Sequence, residues 1–355
     1  MTTLGLIGLG AIGQVHLKAL TSMKDVHLKG VCDLNADRVE DAARAHNIEL
    51  ATTNPGELLN DKDIEGIVLA LPAGVRSNLA NAALKAGKHV LLEKPAATNV
   101  GELRKMESVR KNRILACCSA RFSHYPAAVV AREFLREGRL RNLRSISCRA
   151  VAPPRKSAPA DPPLWRLSRK LNGGGILVNW GPYDFDFLFS IAGFELNPLH
   201  ALAQTWTVPP PNAAYAAPGS DAECHVNALV TFAGGIVLDY ERAEFTAIPD
   251  ELRWQITGEY GTLALILLPG PEQRLVWWRP DPENGTTEEI LWEGDSSTID
   301  STAQVCANFA AAIRGECEPF SDLRKVLFIQ TITDAIYESS ETGAPVSIQQ
   351  IETST

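Results

Sequence analysis

The sequence predicts an α/β protein in two parts: a doubly wound parallel sheet over residues 1–122, then an α+β domain with a large, mostly antiparallel open sheet over 123–355. Three observations predict it. The chain has 355 residues, and single hydrophobic cores stop growing near ~250 to 300 residues. Up to about residue 122, short apolar runs alternate with stretches of helical period, the rhythm of a parallel sheet covered by helices on both faces. From about residue 143 the rhythm changes to long β-rich segments joined by turns, several alternating polar and apolar residues.

In order, LGLIGL, VHLKGVCD, GIVLALP, HVLLEKP and ILACCS read as the strands of the first domain, their near-continuous apolarity matching burial on both faces. AIGQVHLKALTSM and SNLANAALKAG carry helical period between them. In the second domain LRSISCRA, LHALAQTW, HVNALVTFAGGIVLDYERAEF, LRWQITGEYGTLALILL, RLVWWRP and EEILWEG read as strands, with AGGI and EYGT as turns. The proline-rich stretches 152–163 and 208–220 cannot be central strands or helices and are expected as surface loops.

The net charge of -8 repels phosphate backbones and anionic lipid, so neither nucleic acid nor a membrane is an expected partner. No basic leader and no apolar run of the ~20 residues needed to span a bilayer is found, and a cytoplasmic location is expected. Seven scattered cysteines without a CxxC pair predict free thiols, with neither a disulfide framework nor a zinc site.

GLGAIG, residues 8–13, matches G-x-G-x-x-G directly after the first strand and at the start of a helix. Gly8 permits the tight turn, Gly10 admits a pyrophosphate against the backbone, and Gly13 permits close helix-sheet packing; Ala11 and Ile12 lie in the same loop. The helix N-terminus adds free N–H groups and positive dipole. Asp33, ending the second strand about 20 residues on, would accept from the adenosine ribose hydroxyls and favours NAD over NADP. Arg38 close by leaves NADP possible.

GKHVLLEKPAA ends a predicted parallel strand with Glu93-Lys94-Pro95. The carboxyl ends of such strands line the ligand crevice, so Lys94 is expected to project toward a nicotinamide, on a backbone that Pro95 stiffens.

Together GLGAIG, Asp33, AGKHVLLEKPAA, the region from Trp165-Arg166 to Gly173-Gly174-Gly175 and DLRKVLFIQTITDAIYESSETGAPVSI resemble the Gfo/Idh/MocA family of sugar and cyclitol oxidoreductases over nearly the whole chain. The resemblance implies an amino-terminal Rossmann domain binding NAD through Gly8, Gly10, Ala11, Ile12, Gly13, Asp33, Arg38, Leu71, Pro72, Glu93 and Lys94. It also implies a substrate-binding second domain whose open sheet makes homodimers or homotetramers, and a last helix that packs back near the first domain. Where the family often reads T-P-N-x-x-H, this chain has L-P-A-G-V-R, so Ala73 and Arg76 stand in place of Asn and His.

The family's GG-x-x-x-x-D-x-G-x-H-x-x-D segment falls on GGGILVNWGPYDFD, residues 173–186, with Asn179 at the first Asp, Tyr183 at the His and Asp186 at the last Asp. These three fall at i, i+4 and i+7, one face of a helix that either starts at Pro182 or is kinked there. The resemblance implies a sugar or cyclitol substrate, and the acidic residues without a dedicated anion clamp point to a neutral one: a hydride passes between a secondary hydroxyl carbon and the nicotinamide, Tyr183 takes the hydroxyl proton and Lys94 stabilises the oxyanion. Asn179 would orient the hydroxyl, and Asp186 would bind a neighbouring hydroxyl or hold Tyr183. Arg121, Trp165 and Arg166 match family residues at the substrate. Two other readings stay open: a redox-neutral, glycoside-modifying enzyme with tightly held NAD, and a non-catalytic NAD-sensing regulator.

Overall fold

The computed structural model describes residues 1–349, which fold as two compact units. The first comprises Met1–Arg121 with Asp300–Leu327, the second Phe122–Ile299 with the chain from Phe328 onward.

In the first unit β1 (Thr2–Ile7), α1 (Ala11–Ser22), β2 (Val26–Cys32), α2 (Ala36–His46), β3 (Leu50–Thr52) and α3 (Pro55–Asn60) are followed by β4 (Gly66–Leu69), α4 (Ala73–Lys85), β5 (His89–Leu92), α5 (Val100–Arg110) and β6 (Leu115–Cys117). The strands pair in parallel in the order β3-β2-β1-β4-β5-β6. The order reverses between β1 and β4, and ligands of such sheets bind outside the carboxyl ends at that switch point. Leu4, Leu6, Val68 and Leu91 are fully buried, as the apolar runs require. Asn35, Asn54 and Asn99 start α2, α3 and α5 by accepting from the N–H groups of Arg38, Gly56 and Glu102.

The second unit opens with α6 (Pro126–Arg136), β7 (Leu143–Val151), α7 (Arg169–Asn172) and α8 (Ile176–Ala192). Then come β8 (Pro198–Thr207), β9 (Glu223–Phe232), β10 (Val237–Ala243), β11 (Glu251–Gly258), β12 (Gly261–Leu265), β13 (Gln273–Asp281) and β14 (Gly285–Gly294). After α9 (Ser301–Ile313) and α10 (Leu323–Thr342), β15 (Val346–Ser347) adds an edge to a sheet ordered β14-β13-β12-β11-β7-β10-β9-β8-β15. Among the described residues of this sheet only β7 and β10 pair in parallel; the other pairs are antiparallel. Ala201, Ala203, Val226, Ala228 and Val230 face the core that holds the α8 residues Phe185, Phe187 and Phe189. Between them Leu202 and Leu229, partners in register, point to the other face and are exposed. Of the proline-rich stretches, 208–220 carries a short 3-10 turn at Pro210–Tyr215 and 152–163 no regular element.

One expectation is corrected. The second domain was expected to run without interruption from 123, yet Asp300–Leu327 belongs to the first unit. The physical reason is α9, whose Val305, Cys306, Phe309 and Ala310 are buried in the same core as Leu4, Leu6, Leu17 and Leu20. The last helix, expected to pack near the first domain, is divided between the two units. Its first residues belong to the first unit, while Phe328, Ile329, Ile332, Ala335 and Ile336 lie in the core of the second. No helix among the described residues is long and apolar enough to cross a membrane.

Candidate active site

The glycine-rich turn forms where β1 ends. Gly8 sits at φ +100, and a Cβ there would meet the Ala70 carbonyl oxygen at 2.4 Å; a Cβ on Gly13 would meet the Gly8 oxygen at 2.0 Å. A Cβ on Gly10, by contrast, would meet nothing within 4 Å, so the turn is open where a pyrophosphate would approach. Gly10 caps α1 without a side-chain hydrogen bond and no acidic residue occupies the first turn, where Ala11 and Ile12 lie, so nothing there competes with an anion. Asp33 accepts from the N–H of Leu9 at 2.6 Å and of Asn35 at 2.9 Å, tying the end of β2 to the turn. Arg38 is exposed, its guanidinium 4.0 Å from Asp33. These residues fit a dinucleotide.

Leu71 and Pro72 join the end of β4 to α4, which Pro72 caps. Next to them, at the end of β5, lies a buried network of charge. Glu93, 3% exposed, accepts from His16 Nε2 at 2.7 Å and from Arg121 NH2, and its other oxygen accepts the N–H of Lys94 at 3.0 Å. Burial raises the Glu93 pKa, but Arg121 and His16 outweigh that and hold the carboxylate well below its usual range. Burial likewise pulls His16 down, while hydrogen bonds with Cys118, Cys306 and Glu93 bring it well above 6.5. His16, Glu93 and Cys118 have ligand atoms within 4.8 Å of one another. Arg121 and His16 both pair with Glu93, which makes the cluster an ion-pair network.

Lys94 is part-buried, and a cis peptide bond joins it to Pro95. Desolvation by burial, opposed by Glu93 and reinforced by Arg121 and Arg76, brings its ammonium from 10.5 down to about 8. Arg76, 1% exposed on α4, donates to the carbonyl oxygens of Leu71, Glu93 and Pro95. Arg121 is buried on the 3-10 turn Cys118–Arg121, with NH2 on Glu93.

In the second unit two of the three glycines before α8, Gly174 and Gly175, serve close packing. A Cβ on Gly174 would meet Tyr337 Oη at 1.8 Å, and one on Gly175 the Glu223 carbonyl oxygen at 1.8 Å. The buried Glu223 carboxylate accepts from the N–H groups of Gly175 and Leu177, each at 3.0 Å, and from Tyr337 Oη at 2.8 Å, capping α8 from another strand. The helix runs through Pro182 instead of starting there. Tyr183 is 5% exposed, with Phe122 edge-on at 5.0 Å and Trp180 at 5.9 Å. Asn179, one turn earlier, is part-buried. Asp186 is 1% exposed and accepts from Ser123 Oγ, while Arg132 holds the Ser123 carbonyl at 2.7 Å. Trp165 is exposed; Arg166 beside it pairs with Glu244.

Sequence reasoning missed His16, Glu223 and Asp184. His16 was marked by its place among Gly13, Leu17 and Leu20 on the buried face of α1, a polar residue on an apolar stripe. Asp184, fully buried, accepts from Tyr240 Oη at 2.9 Å and Trp254 Nε1 at 3.0 Å, and only its packing reveals it.

An α/β unit with an open glycine-rich turn and a part-buried strand-end lysine is followed in the chain by an α+β unit with an open sheet. Residues 2–117 match the model described as "Oxidoreductase family, NAD-binding Rossmann fold", and residues 129–264 the Gfo/Idh/MocA C-terminal domain. The chain belongs to the Gfo/Idh/MocA family. It is 28% identical over 212 residues to levoglucosan dehydrogenase of Pseudarthrobacter phenanthrenivorans, covering 57% of this chain and 54% of that protein. It is 30% identical over 202 residues to myo-inositol 2-dehydrogenase of Thermotoga maritima, covering 56% and 57%. The chain thus spans about half the length of the curated relatives it matches. Among solved structures, a levoglucosan dehydrogenase in complex with NADH superposes with TM-score 0.82 at 22% identity, covering 99% of this chain and 100% of that one. An aldose-aldose oxidoreductase from Caulobacter crescentus does so with TM-score 0.80 at 18% identity, covering 98% and 99%.

Proposed function

We propose that the protein is an NAD-dependent oxidoreductase that moves a hydride between nicotinamide and a secondary hydroxyl or ketone of a neutral sugar, glycoside or cyclitol. The observation that carries this reading is Lys94: a strand-end ammonium lowered to about 8 beside a buried ion-pair network, in the unit that matches the NAD-binding model. The names of the relatives, levoglucosan and inositol dehydrogenases, support a polyol substrate.

Bound NAD supplies the hydride acceptor at its nicotinamide ring. Tyr183 Oη is assigned the hydroxyl proton, and the Lys94 ammonium the negative charge that develops on the substrate oxygen. Asn179 orients the hydroxyl as donor and acceptor without charge. Asp186, being buried and held by Ser123, is read as support for the Tyr183 helix and not as a substrate ligand. Trp165 and Arg166 are read as substrate-binding; the Arg121 guanidinium acts through Glu93. Asp33 favours NAD over NADP. Seven free cysteines support a reducing, cytoplasmic setting, and the exposed Leu202–Leu229 face supports a homo-oligomer through the open sheet.

The test is an absorbance screen for reduced nicotinamide with NAD and NADP against aldoses, glycosides, inositols and keto-sugars. Tyr183→Phe is expected to bind NAD normally and lose about 10²- to 10⁴-fold in kcat. Full turnover of that variant would remove Tyr183 from the chemistry.

A further inference from the structure

We propose that Arg76 is a positioning residue for Lys94: its guanidinium, bridging the carbonyl oxygens of Leu71, Glu93 and Pro95, sets the backbone from which the lysine side chain reaches. The proposal rests on the reading of Lys94 as the group that meets the substrate oxygen.

Three observations carry it. First, Arg76 lies one turn into α4 and is 1% exposed. A cation near a helix N-terminus is opposed by the helix dipole, and a buried guanidinium is costly unless its donors are filled, so helix stability does not account for it. Second, the oxygens it joins lie just past the carboxyl ends of β4 and β5, neighbouring parallel strands. Glu93 and Pro95 flank Lys94, so one planar group fixes the peptide on both sides of the lysine. A neutral histidine, with one N–H donor, could not join three carbonyls, and a lysine could not present the same planar fork. Third, the side chain of Glu93 is held separately by His16 and Arg121, so the residue before Lys94 is clamped at its carboxylate and at its carbonyl by different partners. The Arg76 charge also contributes to the lowered Lys94 pKa.

The experiment compares Arg76→Met, Arg76→Lys and Lys94→Met in the full chain, by kcat with the polyol selected in the screen above, by NAD affinity, and by 13C NMR titration of isotopically labelled lysine without substrate. Arg76→Met is expected to lose about 10- to 100-fold in kcat with little change in NAD affinity. Its Lys94 resonance, assigned by its loss in Lys94→Met, should titrate above the wild-type value of about 8. Arg76→Lys should lose kcat comparably while the titration stays near that value, because the charge remains and the bridge does not.

Wild-type kcat and an unmoved titration in both variants, with only the melting temperature lowered, would overturn the proposal in favour of a purely structural role. So would failure of both variants to fold. A Lys94→Met protein with full turnover would overturn the assignment of Lys94 itself, whereas an inactive Lys94→Met beside unaffected Arg76 variants overturns the positioning role alone.

Discussion

At the scale of residues, Lys94 sets a pH dependence and a stability cost together. If its ammonium faces the substrate oxygen, turnover falls as pH rises through about 8, and the pH-rate profile of Lys94→Met lacks that limb. The unfolded chain keeps this lysine protonated to about 10.4, so between the two values it binds more protons than the folded chain. The Lys94 contribution to stability therefore rises with pH across that window and is unfavourable at neutral pH. Lys94→Met should thus melt higher at neutral pH, by on the order of 1 to 3 kcal/mol, while turning over poorly. Thermal denaturation of both proteins at neutral pH checks the sign; equal stability would show the ammonium to be well solvated. The lysine was legible in the sequence because a lysine after a buried apolar strand is conspicuous. Its partners were not, since His16 and Arg121 lie far from Glu93 in the chain and meet it only through folding.

At the scale of elements, the start of α8 shows how a motif read for chemistry can be written in packing. In GGGILVNWGPYDFD, Asn179, Tyr183 and Asp186 carry the chemical reading and the glycines have no part in it. Gly174 and Gly175 instead make room for Tyr337 and Glu223, which fasten α8 to the last helix and to the sheet. Gly175→Ala would place a Cβ 1.8 Å from the Glu223 carbonyl oxygen, backbone that cannot swing aside. It is expected to destabilise the protein by several kcal/mol, roughly the upper range for a single substitution, as read by denaturant unfolding; a loss below about 1 kcal/mol would mean that the strand shifts freely. Pro182 could not be placed from sequence, because whether a proline starts or interrupts a helix depends on what packs around it. The strands were legible almost throughout, with β3 and β15 the exceptions: at three and two residues, and outside any longer apolar run, they show no period.

At the scale of the whole molecule, the open sheet was legible from alternation, and its exposed face carries the prediction about assembly. Leu202 and Leu229 are cross-strand partners, 48% and 43% exposed, with Trp206 nearby on β8 at 47%. Replacing both leucines with glutamate should shift a dimer or tetramer to smaller species in sedimentation velocity without loss of helix or strand signal. An unchanged sedimentation coefficient would place the contacts elsewhere. The return of Asp300–Leu327 to the first unit was hidden, because α9 has an ordinary apolar helical pattern that names no partner.

That return also orders events in time. During synthesis β1 to β6 emerge first, yet the core beneath them waits for Val305, Phe309 and Ala310, and the His16 imidazole waits for the Cys306 thiol at 3.4 Å. A half-made chain therefore holds that sheet with one flank bare until α9 has been translated, and only then does His16 gain its contact with Cys306.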